Sequence, residues 1–158
     1  MENPRYHNEY GWRSSNPGRV LSNALRRFED RVMQLMVTAG YAETRRTHVN
    51  LTRHLDLEGT RITDLAKRAA MTNAAMSELI DQCVVLGLVA RAADPKDKRA
   101  RIVQFTSKGY LWLSAFGRSV NQAEDEMAQL MGVQMMPAVL DSLASYAAGT
   151  DKTETEPA

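Results

Sequence analysis

The sequence has a single cysteine among its 158 residues, which excludes an intramolecular disulfide framework and a thiolate metal cluster within one chain. Long apolar runs are also missing. The longest uncharged one, Cys83 to Ala90, has eight residues, whereas a membrane-spanning helix needs about 20. The N-terminal residues contain no apolar segment like that of a secretory signal, so we expect a cytoplasmic protein with no membrane association.

Motifs that carry catalytic or metal-binding chemistry are scarce as well. His48 and His54 are six residues apart, so they do not share a helical face as a metal-binding pair would. The chain has no phosphate-binding glycine loop, no nucleophile motif and no plausible pair of catalytic carboxylates. We therefore expect neither an enzyme nor a metal or cofactor site.

The composition is that of one globular domain whose charges are unevenly placed. Hydrophobic residues make up 44% of the chain and charged residues 25%, which excludes wholesale disorder. The formal net charge is +1, but residues 1–60 carry +2, residues 61–101 carry +3 and residues 102–158 carry −4. This separation permits a basic binding face on a nearly neutral protein.

Apolar periodicity predicts helices in the first third of the chain. Residues 1–17 contain turn-forming residues without periodicity and are predicted to form an irregular arm. Between Val20 and Met36 apolar residues recur at steps of three and four, which predicts a long helix within residues 18–46. A second, shorter helix is predicted from Thr47 to Leu57.

Two helices separated by a tight turn are predicted in the centre of the chain. Thr63 is a candidate N-cap for a short helix from Asp64 to Ala70, and Thr72 is a candidate N-cap for a longer one from Asn73 to Leu86. The pair has the proportions of a helix-turn-helix. The residues predicted to face inward from the longer helix are Met76, Leu79, Ile80 and Cys83.

A charged hairpin is predicted directly after this pair. Leu88–Ala92 and Arg101–Phe105 are β-prone runs, and the segment from Asp94 to Arg99 between them is turn-forming and charged. A helix-turn-helix followed at once by a basic hairpin predicts a winged helix-turn-helix over residues 47–105.

The remaining residues are predicted to be helical up to a polar tail. Thr106 is a candidate cap for a long helix reaching about Met131, and Pro137 suits the first turn of a last helix, so residues 106–148 are assigned to helices. Residues 149–158 are polar and predicted to be disordered. The predicted fold class is therefore mainly α with a small β-hairpin wing.

Four segments of the predicted winged region are informative together: Arg61–Ala66, Leu79–Asp81, Gly87–Val89 and the run DPKDKRARIVQFTSKG from Asp94 to Gly109. In this combination they resemble the multiple-antibiotic-resistance regulator (MarR) family of transcription regulators. The last run is similar to the family's wing signature, D-P-x-D-x-R followed by a strand and L-T-x-x-G. With the flanking helices the resemblance covers about residues 18–148.

This resemblance implies a homodimeric transcription regulator, most often a repressor. Helices within residues 18–46 and 106–148 would be the N- and C-terminal dimerisation helices, and the winged domains would dock on pseudo-palindromic double-stranded DNA. Many members release DNA when a small phenolic or carboxylate ligand binds between the dimerisation helices and the winged domain. The alternative is a winged-helix protein-interaction module without specific DNA binding, which Glu78 and the near-neutral total charge favour.

The wing supplies the first set of candidate DNA contacts. Arg99 is expected to enter the minor groove, whose negative potential favours a guanidinium group. The resemblance suggests that Asp97 pairs with Arg99 and orients it. Lys96, Lys98 and Arg101 are expected to contact phosphates, which sets affinity and salt dependence. The alternative for this segment is a solvated hairpin tip.

The candidate recognition helix supplies the second set. Its predicted outward residues near the start are Thr72, Asn73, Ala75 and Ser77, which are small enough to let the helix enter the major groove closely. Thr72 is equally well explained as a helix cap alone. Glu78 occupies a position that is often basic or polar in the family, where a carboxylate is repelled by phosphates unless it reads a cytosine amino group.

Four residues are candidates for binding a small effector: Arg45, Arg46, His48 and Trp112. Arg45, Arg46 and Trp112 lie where the dimerisation helices and the winged domain are expected to meet, and any of them could bind a ligand carboxylate or ring. For His48 the alternative is a core or surface histidine without a ligand. Cys83 lies on the inward stripe of its helix, which favours a structural thiol over a redox sensor.

Overall fold

Seven helices and three strands make up residues 9–149, the part of the chain that the computed structural model describes. The helices are α1 Trp12–Ser15, α2 Pro17–Thr38, α3 Arg46–His54, α4 Ile62–Arg68, α5 Asn73–Val85, α6 Ser107–Met131 and α7 Met136–Ala148. The strands are β1 Thr60–Arg61, β2 Val89–Asp94 and β3 Asp97–Phe105. The chain divides between Val120 and Asn121 into two compact units.

The first unit contains a winged helix-turn-helix. The sheet is antiparallel in the order β1-β3-β2, and β2 and β3 form the hairpin that follows α5. Its hydrophobic core includes Met36 of α2, Leu51 of α3, Leu65 of α4 and Val103 of β3. The predicted fold class, mainly α with a small β wing, is confirmed.

The turn between α4 and α5 fixes the angle of the second helix. Ala70 has a φ of +52°, in the left-handed region, and this lets the Met71 N–H donate to the carbonyl of Ala66 at 2.8 Å. The Thr72 hydroxyl oxygen then accepts from the Ala75 N–H at 3.1 Å, so the predicted cap of α5 is confirmed. All four residues predicted to face inward from α5 are buried: Met76, Leu79, Ile80 and Cys83.

The predicted boundaries of two helices in this unit, α3 and α4, are wrong, and α4 ends at Arg68 instead of Ala70. The helix predicted from Thr47 to Leu57 ends at His54, because Leu55 is extended and buried and the chain then turns at Gly59, whose φ is +99°. Thr63 does not cap α4, which begins one residue earlier at Ile62. Thr60 and Arg61 pair with β3 and so hold the chain extended up to that point.

The predicted irregular arm over residues 1–17 is wrong in part: residues 9–11 form turns, but two helices lie in or begin within the remaining described residues. Trp12–Ser15 is helical and α2 begins at Pro17. Asn16 separates the two helices: its side-chain amide donates to the Trp12 carbonyl at 2.8 Å and its Oδ1 accepts from the Arg19 N–H at 3.1 Å. Residues 1–8, and residues 150–158 of the predicted disordered tail, lie outside the described residues.

The second unit comprises the end of α6 and α7. Gly132, with a φ of +101°, ends α6, and Pro137 lies in the first turn of α7 as predicted. This unit exposes large apolar side chains, among them Leu130, Val133, Met135, Leu140 and Tyr146. Within the described residues, no helix combines the length and the apolar character needed to cross a membrane.

Candidate nucleic-acid interface

In the first two turns of α5, the exposed face is formed by small side chains and one acidic side chain. Thr72, Asn73 and Ala75 are exposed at its start, and Glu78 is exposed one turn further on. Ser77 is half-buried, towards the hairpin. The structure therefore places all five predicted recognition residues on or beside one surface of the helix.

The basic residues of the wing lie around its tip. Lys96, Lys98, Arg99 and Arg101 are all exposed in the segment that connects β2 with the first half of β3. Among the described residues, the guanidinium group of Arg99 has no carboxylate within ion-pair distance. These side chains are thus available to a polyanion.

A buried carboxylate organises the tip. Asp94 Oδ1 accepts from the Lys96 N–H at 2.8 Å, and Asp94 Oδ2 accepts from Nε and Nη2 of Arg61 at 2.7 Å each. The Lys96 N–H and then the Arg61 side chain hold the pKa of Asp94 below its usual range. Arg61 was not identified as a site residue from the sequence. The indication in the sequence was its possible acidic partner Asp94, which lies 33 positions later in the predicted hairpin.

Asp97 bonds to Arg99 through the backbone of Arg99 and not through its guanidinium group. Asp97 Oδ1 instead accepts from the backbone N–H of Arg99 at 3.0 Å, and Asp97 Oδ2 lies 3.8 Å from Arg61 Nη2. An aspartate side chain is short, so in a turn its oxygen most readily accepts the backbone N–H of the residue two positions later. The long Arg99 side chain is therefore left free to project from the turn.

A further residue that sequence reasoning missed connects the wing with the recognition helix. Arg91 of β2 donates to Asp81 Oδ1 at 2.6 Å and to the backbone carbonyl of Ser77 at 3.3 Å. Both partners belong to α5. This bridge connects the strand with the helix, so the two candidate DNA-reading elements contact each other through side chains.

An apolar cavity of about 240 Å³ lies between α2, α3 and α6 within the first unit. Its apolar lining includes Phe28, Met33 and Phe116, and its polar lining is Glu29, Arg46 and Arg53. Arg53 pairs with Glu29 at 3.3 Å, and Arg46 pairs with Asp30. The cavity therefore combines apolar walls with two guanidinium groups whose present partners are carboxylates.

The four predicted effector-binding residues do not come together. Arg46 lines the apolar cavity, whereas Arg45 and His48 line a separate open groove of about 870 Å³ beside α5. Trp112 lines neither, because it is buried beneath Phe116 and donates to Thr44 Oγ1 at 2.9 Å. Consecutive residues at the start of a helix point about 100° apart, which is why Arg45 and Arg46 face different spaces.

His48 is expected to make the fold sensitive to mild acid. It is buried, its Nδ1 accepts from the Arg45 N–H at 3.1 Å, and burial lowers its pKa below the ordinary 6.5. Because the unfolded chain then binds the proton more tightly, stability is full above pH 6.5 and falls as the pH drops below that value. The variant His48→Gln keeps an oxygen that can accept the Arg45 N–H but has no group that titrates in this range. We expect its free energy of unfolding, measured by chemical denaturation, to fall less between about pH 7 and about pH 5 than that of the wild type. An unchanged pH profile in this variant would contradict the assignment.

Cys83 is buried in the core, and burial raises its pKa to about 11. A thiol with that pKa is almost fully protonated at neutral pH and is a poor nucleophile. This agrees with the prediction that Cys83 is a structural core residue and not a redox sensor. Within residues 9–149, no group of three or more histidine, cysteine or acidic residues is placed to hold a metal ion.

Comparisons with known proteins bear on the fold. No family model and no curated protein matches the chain. The transcriptional repressor CouR bound to a 23-mer DNA duplex is 22% identical, over 89% of this chain and 99% of that one, with a TM-score of 0.66. CouR from Rhodococcus jostii RHA1 bound to p-coumaroyl-CoA is 20% identical over 92% and 97%, with a TM-score of 0.67. A transcriptional regulator (MarR family) from Rhodococcus sp. RHA1 is 21% identical over 84% and 93%, with a TM-score of 0.67. The chain therefore has the winged helix-turn-helix fold of these MarR-type transcriptional regulators.

Proposed function

We propose that this protein is a homodimeric, DNA-binding transcription regulator of the MarR type that acts in the cytoplasm as a ligand-released repressor. The observation that carries the proposal is the pairing of a small-residue helix, α5, with an exposed basic hairpin tip that Arg91 and Arg61 hold in place. The DNA duplex in the CouR structure shows that a protein of this fold binds DNA.

The two elements have different tasks in this proposal. Lys96, Lys98 and Arg101 contact phosphates and supply sequence-independent affinity, while Arg99 enters the minor groove. Asn73, at the start of α5, reads base edges in the major groove, where an amide side chain can form two hydrogen bonds to adenine. Asp97 acts indirectly, by fixing the backbone from which Arg99 projects.

Each unit taken by itself supports the homodimer. Val20, Leu21 and Leu25 of α2 are exposed in the first unit, and Leu130, Leu140 and Leu143 are exposed in the second. Exposed apolar side chains on α2 in the first unit, and on the end of α6 and on α7 in the second, are typical of an interface that a second copy covers. A symmetric dimer would place two copies of α5 on half-sites about 34–36 Å apart.

The apolar cavity supports release by a small ligand. Its volume of about 240 Å³ exceeds the roughly 150 Å³ of a cavity that holds benzene. A phenolic or carboxylate-bearing single ring would therefore fit, with Arg46 or Arg53 exchanging its present acidic partner for the ligand's carboxylate. The ligand needs a differential affinity of only a few kcal/mol for the released state to empty the operator.

The deciding experiment is fluorescence anisotropy of a labelled duplex taken from the protein's own upstream region, titrated across a salt series with unrelated duplex as competitor. We expect tight, salt-dependent binding, and we expect Arg99→Ala to weaken it about tenfold and to lower the salt slope by about one.

Arg27→Ala is the matched control, because it removes the same charge from an exposed position on α2. It should leave the affinity close to that of the wild type. Binding that is no tighter than to unrelated DNA, both here and with duplexes selected from a random pool, would overturn the proposal and favour the protein-interaction module.

A further inference from the structure

The recognition helix carries no cation. The thirteen residues of α5, Asn73–Val85, contain two carboxylates, Glu78 and Asp81, and no lysine or arginine. The exposed basic charge next to it comes from the hairpin and from Arg45, which lines the open groove beside α5 together with Glu78. A helix that enters the major groove between two rows of phosphates is expected to lose affinity for each unpaired carboxylate it brings along.

One of the two carboxylates is already compensated within the fold. Asp81 accepts from Arg91 at 2.6 Å, so its charge is paired before DNA arrives. Glu78 is exposed, and within the described residues it has neither an ion pair nor a side-chain hydrogen bond. Of the two acidic groups on α5, Glu78 is therefore the one that would meet a duplex without a contacting cation from the described residues, the guanidinium group of Arg45 lying across the same groove.

The helix geometry directs Glu78 outward. The buried face of α5 is formed by Met76, Leu79, Ile80 and Cys83. At 100° per residue Glu78 lies opposite the middle of that face, together with Ala74 one turn earlier. Because Ala74 ends at its Cβ, Glu78 is the longest side chain on the outward surface of the first two turns.

The major groove offers a carboxylate one well-matched partner. Cytosine presents an N4 amino donor there and no acceptor of its own, whereas the N6 amino group of adenine stands beside that base's own N7 acceptor, which repels a carboxylate. Guanine presents acceptors only, and thymine presents an acceptor and a methyl group. We propose that Glu78 is a specificity-determining residue that selects a cytosine in each half-site. This inference rests on the proposed function.

The test is selection of binding sites from a pool of random duplexes by the full-length protein, followed by anisotropy on the selected site and its single-base variants. We expect the wild type to require cytosine at one symmetric pair of positions and to lose about tenfold in affinity when that base is replaced. Glu78→Gln keeps the length of the side chain but replaces an acceptor with an amide that pairs with adenine. It should therefore exchange the preference for cytosine for one for adenine at that position alone.

Glu78→Ala gives a second, independent result. It removes both the repulsion and the contact, so binding to unrelated duplex should become tighter while discrimination at the cytosine position is lost. Glu58→Gln is the charge-matched control, because Glu58 is exposed in the turn between α3 and β1. It should leave the selected sequence unchanged.

The outcomes separate the two proposals. A wild-type protein that selects no sequence overturns the proposed function and this inference together. In the other outcome the wild type selects a clear site, and Glu78→Gln and Glu78→Ala select the same site with the same base at every position. That result overturns the role of Glu78 and leaves the proposed function standing.

Discussion

Replacing Gly109 with alanine is expected to destabilise the protein by about 3 kcal/mol, because the added methyl group has no room. A Cβ at this position would lie 2.0 Å from the carbonyl oxygen of Leu88 and 3.2 Å from Cδ1 of Phe105. The Leu88 carbonyl cannot retreat freely, since it accepts from the Thr106 N–H at 3.1 Å. The Gly109 N–H in turn donates to Thr106 Oγ1 at 2.9 Å, which confirms the predicted cap of α6 and holds the first turn against the sheet.

The chain offers a matched control in the same helix. Gly117 has no atom within 4 Å of an added Cβ, so Gly117→Ala should be neutral or stabilise by up to about 1 kcal/mol through the better helix propensity of alanine. Urea unfolding followed by circular dichroism, at equal protein concentrations, compares the two variants. Equal stability of the two variants would show that the approach of α6 to Leu88 is looser than described.

Trp112→Ala is expected to cost about 4 kcal/mol of stability, as a large cavity in a core does. The indole is 1% exposed, stacks on Phe116 with ring centroids 5.0 Å apart, and donates from Nε1 to Thr44 Oγ1 at 2.9 Å. Trp112→Phe keeps the aromatic ring and leaves the Thr44 hydroxyl without this donor, so a smaller loss of about 1–2 kcal/mol is expected.

Comparing the two variants separates packing from ligand binding at this position. The measurement is again urea unfolding, paired with ligand-induced release of DNA by the more stable Trp112→Phe. If Trp112→Ala were as stable as the wild type and lost only its ligand response, Trp112 would belong to an effector site rather than to the core.

Local sequence signals accounted for the elements that position the candidate DNA-binding surface. The boundaries and caps of α5 and α6 were predictable because Thr72 and Thr106 satisfy backbone groups within three residues of themselves. The inward face of α5 followed from its apolar spacing. The hairpin followed from two β-prone runs around a charged turn.

Features that depend on distant partners were not predictable from one sequence. β1 is two residues long and exists because Thr60 and Arg61 meet Val103 and Ile102 some 40 positions later. The bridge from Arg91 to Asp81 requires the register of the hairpin against α5. The predicted effector-binding residues lie in different places for the same reason. The cavity that a side chain lines depends on how the helices pack and not on how close the residues are in sequence.

The cation-free surface of α5 has a consequence for how such a regulator would find its operator in a genome. Non-specific DNA presents phosphates everywhere but the matching bases almost nowhere, and roughly a million or more such sites compete for each copy of a regulator. On non-matching DNA the phosphates would repel the carboxylate of α5, which would shorten the residence time at each such site. The cations of the hairpin would still attract the protein to the duplex. A cell would then need fewer copies of the protein to keep its operator occupied.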